Sequence, residues 1–166
     1  MNKTTNNMKD ICIKLLNDRG VGLDDIADIV YDLQKKYVPE ITKEICLDAI
    51  NRVLGKREVQ NAILTGIELD VLAEKNLLSE PLQTLINTDN PLYGIDEILV
   101  LSICNVYGSI GLTNFGYVDK VKPGIIGRLD KMGKETNTCH TFMDDIIGAI
   151  AAAAASSVAH NAEDDE

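Results

Sequence analysis

With 166 residues, 45% of them hydrophobic, and a formal net charge of −10, the chain is long enough to bury one substantial core and too acidic to carry the basic stripe that nucleic-acid phosphates require. The same charge works against bulk attraction to an anionic membrane surface, leaving at most peripheral membrane contact. Four scattered cysteines, Cys12, Cys46, Cys104 and Cys139, form no Cys-x-x-Cys pair, so a thiolate zinc module and a disulfide framework are excluded and reduced core thiols of a cytoplasmic protein are expected. The opening Asn-Lys-Thr-Thr-Asn-Asn after Met1 lacks the apolar stretch of a secretory leader.

Apolar residues at Met8, Ile11, Cys12 and Leu15 repeat at helical spacing and stop at Asp18-Arg19-Gly20, which predicts a short first helix. A second follows, with Asp24 as its cap and Ile26, Ile29, Val30, Leu33 and Tyr37 as one stripe before Pro39. Thr42 opens a third, striped by Cys46, Ala49, Ile50, Val53 and Leu54 and closed at Gly55. From Lys56 a longer helix lines up Val59, Ala62, Ile63, Gly66 and Ile67, and the same stripe reaches Asp70, a carboxylate on an apolar face that reads as the point where the helix leaves the core. Ser79-Glu80-Pro81 starts a short helix, and Thr88-Asp89-Asn90-Pro91 is a loop.

Next, Ile98 to Val118 contains no charged residue, and about 20 apolar residues would span a bilayer. Ser102, Asn105, Ser109, Thr113, Asn114 and interspersed glycines break the run. A buried central helix from Gly94, apolar on all sides, is therefore expected, fraying into a loop at Thr113-Asn114-Phe115-Gly116. A short helix after Pro123 and a last one from Thr141 through the alanines 149–155 complete the chain. No stretch alternates with the period of a strand. The fold class is accordingly all-α, a compact multihelical bundle of about seven or eight helices with a buried central helix. Residues 1–55 form a helical scaffold, 56–160 a catalytic core and 161–166 a mobile acidic tail.

Three acidic sites share one grammar, since Asp96-Glu97, Asp119 and Asp144-Asp145 each start a predicted helix beside apolar sequence. Thr141 is placed to cap the last helix with Asp144, and dipole complementation in a first turn is worth roughly 0.3–1 kcal/mol. Asp145 has no part in such a cap. If the helix starts converge, up to five carboxylates meet and repel one another unless a hard cation or a shared proton neutralises them. Oxygen-only ligands favour Mg²⁺ or Mn²⁺. Lys120, Lys122, Arg128, Lys131 and Lys134 give the chain its clearest basic patch, and a metal beside cations suits a phosphate. The two histidines read as incidental. An all-α nucleotide pyrophosphohydrolase and a non-catalytic helical interaction protein are the alternatives. The small residues of the last helix predict packing inside the bundle against the Ile98 to Val106 segment, and a homo-oligomer, even-numbered, is expected.

Asp119-x-x-Lys122-Pro123 with Ile125-Ile126 and Asp130, then Phe142-Met143-Asp144-Asp145-Ile146-x-Gly148, resembles the closing signature of the PgpA-type phosphatidylglycerophosphatase family, and Gly94-Ile95-Asp96-Glu97 is similar to its Asp-Glu motif. The whole chain resembles the soluble YutG-like branch. The resemblance implies a Mg²⁺-dependent phosphatase acting on phosphatidylglycerol phosphate or another phosphomonoester, with Asp96, Glu97, Asp144 and Asp145 as metal ligands and Asp119 and Lys122 in catalytic or phosphate-facing roles. One motif departs: only Thr65-Gly66 or Gly108-Ser109 stands where membrane relatives carry Gly-Thr-x-Gly-Ser.

Overall fold

The computed structural model describes residues 2–164, with side chains described over 8–162. Among these residues there is no strand. The elements are α1 (Asn2–Asp18), α2 (Leu23–Gln34), α3 (Lys43–Val53), α4 (Arg57–Glu74), α5 (Leu82–Asn87), α6 (Ile95–Cys104), a 3₁₀ turn (Asn105–Tyr107), α7 (Gly108–Val121), α8 (Ile125–Glu135) and α9 (Met143–Asp164). The helix boundaries follow local chemistry. Thr42 caps α3, its hydroxyl accepting the Ile45 N–H at 3.3 Å. The α2 cap is Gly22, whose N–H is taken by Asp25 at 2.9 Å, rather than the predicted Asp24; Asp24 instead faces Lys43 at 3.5 Å.

The centre of the bundle is α9. Every residue from Cys139 to Ser156 is buried, and α2, α3, α4, α6, α7 and α8 all pack on α9. Small side chains make this crowding feasible. A Cβ at Gly66 of α4 would lie 2.7 Å from Ile146 Cδ1, and one at Gly148 would lie 3.4 Å from Val118 Cγ1, so glycines and alanines set the approach of six neighbours. All four cysteines are buried free thiols.

Two expectations are corrected here. The central helix is not the one opening at Gly94, and Thr113 to Gly116 is not a loop but the middle of α7. The segment from Ile95 to Val121 is helical and long and apolar enough to cross a membrane, yet only 28% of its most apolar stretch is buried, with Ile98 62% and Tyr117 58% exposed. The reason is geometric. Apolar residues on all sides of a helix show what could be buried, whereas covering them needs neighbours, and among the described residues it is α9 on which six helices pack. Residues 161–164, expected in a mobile tail, continue α9, and 165–166 lie outside the described residues.

Candidate active site

The end of the bundle where α6 begins, α7 ends and α9 begins is a cleft made of two adjoining pockets of about 290 Å³ each, which share Asp89, Asp130, Lys134 and Asp144. The inner one is lined by Asp96, Glu97, Asp119, Lys122, Asp144 and Asp145, so the structure brings together all six residues picked from the sequence. Gly94, at φ +70°, turns the chain into α6 so that Asp96 and Glu97 occupy its first turn. On the opposite wall α7 ends with Lys122 at φ 48°, a left-handed conformation that a lysine adopts at a cost of about 1–2 kcal/mol. That turn aims the ammonium inward. Lys122 Nζ lies 2.9 Å from Asp144 Oδ2 and 3.4 Å from Asp119 Oδ1.

The start of α9 is held by Asp70, Thr141 and the Arg19–Glu74 pair. Asp70, fully buried, accepts the backbone N–H groups of Phe142 at 3.1 Å and Met143 at 2.9 Å, satisfying donors that a helix start leaves without partners. Asp70 thus caps α9 from α4, and its position on the apolar stripe marks this contact rather than an exit from the core. Thr141 does not cap α9, since its hydroxyl donates to the Ile86 carbonyl at 2.7 Å. Arg19 bridges Glu74 at 2.6 Å and the Cys139 carbonyl, while Glu74 accepts the Cys139 N–H at 2.7 Å. His140 is not incidental to the region: it is buried against the outer pocket, with Nδ1 at 3.3 Å from the Arg19 guanidinium. Because arginine only donates, Nδ1 must accept. Burial, reinforced by the Arg19 charge, keeps this imidazole below its usual pKa and neutral.

Electrostatically the inner pocket is lopsided, with seven carboxyl side chains (Asp89, Asp96, Glu97, Asp119, Asp130, Asp144 and Asp145) against the two ammonium groups of Lys122 and Lys134. Burial raises the pKa of Asp145, and Asp144, Asp96 and Asp119 raise it further. Burial also raises Asp144, against the opposing pull of Lys122. Asp96 is raised by burial as well, and the charge of Asp119 adds to it. Burial works to lower the pKa of Lys122, but Asp144, Asp119 and Asp145 outweigh it and hold the ammonium well above its ordinary value.

The predicted basic patch is corrected. Lys134 pairs with Asp130 at 2.8 Å, Lys131 with Glu135 at 3.8 Å and Arg128 with Asp25 at 3.4 Å, so the cations scatter around α8 and only Lys122 and Lys134 reach the inner pocket. Asp89 lies in a segment whose sequence signals only a loop; its φ of 49° and the fold of α5 against α4 bring it to the cleft, and no local sequence signal marks that.

The family profile of phosphatidylglycerophosphatase A matches residues 20–160, a span that includes every element of this cleft. The chain belongs to the phosphatidylglycerophosphatase A family. Within it, the chain is 61% identical over 151 residues to the uncharacterized protein YutG of Bacillus subtilis, covering 91% of this chain and 90% of that one. The crystal structure of ypjQ from Bacillus subtilis superposes with a TM-score of 0.90 at 56% identity, covering 98% of this chain and 99% of that one. That of the low temperature requirement C protein from Listeria monocytogenes has the same TM-score and identity, covering 94% and 97%. The resemblance to phosphatidylglycerophosphatases drawn from the motifs, and the all-α fold, are therefore both borne out.

Proposed function

We propose that this chain is a metal-dependent phosphatase that releases phosphate from a phosphomonoester, with the terminal phosphate of phosphatidylglycerol phosphate as its substrate and Mg²⁺, or Mn²⁺, as its cofactor. The observation that carries this reading is the charge imbalance of the inner pocket, where Asp144 and Asp145 are buried and Asp145 has no cation of its own. Among the described residues no group of three or more Asp, Glu, His or Cys side chains is close enough to hold an ion in the arrangement seen. The Lys122 ammonium stands between Asp119 and Asp144 instead. The donor set nevertheless fits a hard divalent ion, being all oxygen and mutually repelling. Asp96, Glu97, Asp144 and Asp145 would hold it, and the ion supplies polarisation of the phosphoryl oxygens and a bound water of lowered pKa.

The chain's own residues supply the rest. Lys122, kept charged by its acidic neighbours, is placed to pass its hydrogen bonds from Asp144 to a phosphate oxygen and to neutralise charge building there in the transition state. Asp119, on the last turn of the same helix, shares that ammonium and limits its swing. Asp70 and the Arg19–Glu74 pair fix the start of α9, so the two acids meet the phosphate without first having to be ordered. The reading is tested by measuring both phosphate and pyrophosphate release from phosphatidylglycerol phosphate, glycerol 3-phosphate and a nucleoside triphosphate, each with Mg²⁺ and with chelator. Metal-dependent release from the lipid is expected. Pyrophosphate release from the nucleotide alone would favour a pyrophosphohydrolase, and no release from any of them would favour a non-catalytic protein.

A further inference from the structure

We infer that the outer pocket of the cleft is a subsite for the alcohol part of the substrate, where the Nε2–H of His140 donates to a hydroxyl on the carbon next to the ester carbon. The protein would thereby select phosphomonoesters of polyols. The inference rests on the phosphatase reading for the place of the phosphate and adds what receives the group attached to it. The outer pocket, about 290 Å³, adjoins the inner one and shares Asp89, Asp130, Lys134 and Asp144 with it. A monoester whose phosphate faces Lys122 then has its alcohol beside the outer pocket. His140 supplies the observation that points to a ligand there. It is 7% exposed and lines this pocket, with Nδ1 at 3.3 Å from the Arg19 guanidinium. A guanidinium only donates, so Nδ1 accepts and the ring carries its proton on Nε2. Nε2 is buried and, among the described residues, without a hydrogen-bond partner. A buried donor with no acceptor is costly and uncommon, and a ligand oxygen in the pocket would relieve it.

Gly133 of α8 leaves room on the Nε2 side of the ring. A Cβ there would lie 3.8 Å from Cδ2, the ring carbon bonded to Nε2, and Gly133 lines the same pocket. The rest of the lining decides the chemistry of the oxygen. Asp89 and Asp130 present acceptors, while Asn87 and Lys134 present donors. A hydroxyl donates and accepts, so it meets both kinds. A second anionic group would face the carboxylates, and an acyl chain would leave the polar groups unpaired. A few placed polar groups of this kind fix a small ligand's orientation. A glycerol phosphate presents such a hydroxyl one carbon from its ester carbon, whether free or as the headgroup of a lipid.

The test compares two non-hydrolysable probes by titration calorimetry with Mg²⁺: the phosphonate analogue of glycerol 3-phosphate, with methylene in place of the ester oxygen, and its hydroxyl-free counterpart butylphosphonate. The wild type is expected to bind the hydroxylated probe about tenfold more tightly. His140→Phe, which keeps a ring and loses the donor, should bind the two within about twofold of each other, and His140→Gln, whose amide donates from nearly the same place, should keep part of the preference. In the isotope-labelled wild type, nuclear magnetic resonance should show His140 protonated at Nε2, with that signal moved by the hydroxylated probe and not by butylphosphonate. Phosphate release should show the same preference in kcat/KM for glycerol 3-phosphate over propyl phosphate, and phosphatidylglycerol phosphate in the same assay tells the lipid source from the free one. Equal affinities in the wild type, no binding of either probe, a preference that His140→Phe keeps, or an unmoved His140 signal overturns the inference even where phosphate is released. A preference that His140→Phe abolishes, in a protein that releases no phosphate from any substrate, sustains the subsite and overturns the phosphatase reading instead.

Discussion

At the scale of single residues, Lys122 and Asp70 carry the account in different ways. Lys122 is more than the exposed lysine before a proline that its sequence position presents, since it neutralises the buried Asp144. Lys122→Ala is expected to lower kcat by about 100-fold, the magnitude seen when a preorganised charge-stabilising donor is removed. It should also destabilise the metal-free protein by about 1–3 kcal/mol, because Asp144 is left without its partner; steady-state kinetics and urea unfolding on the same preparation check both. Asp70 gives a pH effect of defined sign. Burial pushes its carboxyl up to about 7 against the hydrogen bonds from Phe142 and Met143, while an unfolded aspartate titrates near ~3.9. The folded state therefore binds more protons between those values, and Asp70's contribution is full below about pH 4 and lost as pH rises through about 7. Unfolding free energies of wild type and Asp70→Asn across that window should fall more steeply in the wild type, the raised Asp144 and Asp145 being common to both. Asp70 stood out in the sequence as an acid on an apolar stripe, but its partners lie 72 and 73 residues away, a separation at which spacing says nothing about contact.

At the scale of elements, glycines and alanines set how closely helices approach and thereby where the charges sit. A Cβ at Gly127 of α8 would lie 2.6 Å from the Lys122 carbonyl oxygen, so α8 touches the turn that aims the lysine. Gly127→Ala should lower kcat while helix content is retained, and it should destabilise the fold even though alanine is favoured over glycine in a helix interior by about 1 kcal/mol. Ala152, fully buried in α9, should tolerate leucine poorly, with Ala152→Leu costing about 1–3 kcal/mol in thermal or urea unfolding. Most helices were legible from apolar spacing, punctuated by Gly55, Pro81 and Pro123. The ranking of their burial was not, because alanine signals burial weakly although it is what allows α9 to be central, while the Leu, Ile and Val of α6 signal burial strongly and lie on the outside. The convergence of the three acidic sites was anticipated, but Asp119 reaches the cleft from the last turn of α7 and not from a helix start; the dispersal of the lysines was not, since Lys120 and Lys122 leave the end of α7 while Arg128, Lys131 and Lys134 leave different sides of α8.

At the scale of the whole molecule, a bundle has many helix ends, and this one gathers the start of α6, the end of α7 and the start of α9 around a single excess of negative charge. That excess is what a divalent ion would relieve. Saturating Mg²⁺ should therefore raise the melting temperature of the wild type, since a ligand at about 100 times its dissociation constant adds roughly 2.7 kcal/mol, and Asp145→Asn should remove the response. The most direct test joins that charge to the chemistry: the rate of inorganic phosphate release from phosphatidylglycerol phosphate, measured against Mg²⁺ concentration for the wild type and for Asp145→Asn. The account predicts saturable activation by Mg²⁺ in the wild type and a loss of about 100-fold or more in the variant; release that proceeds equally in chelator, or equally without the Asp145 carboxylate, would contradict it.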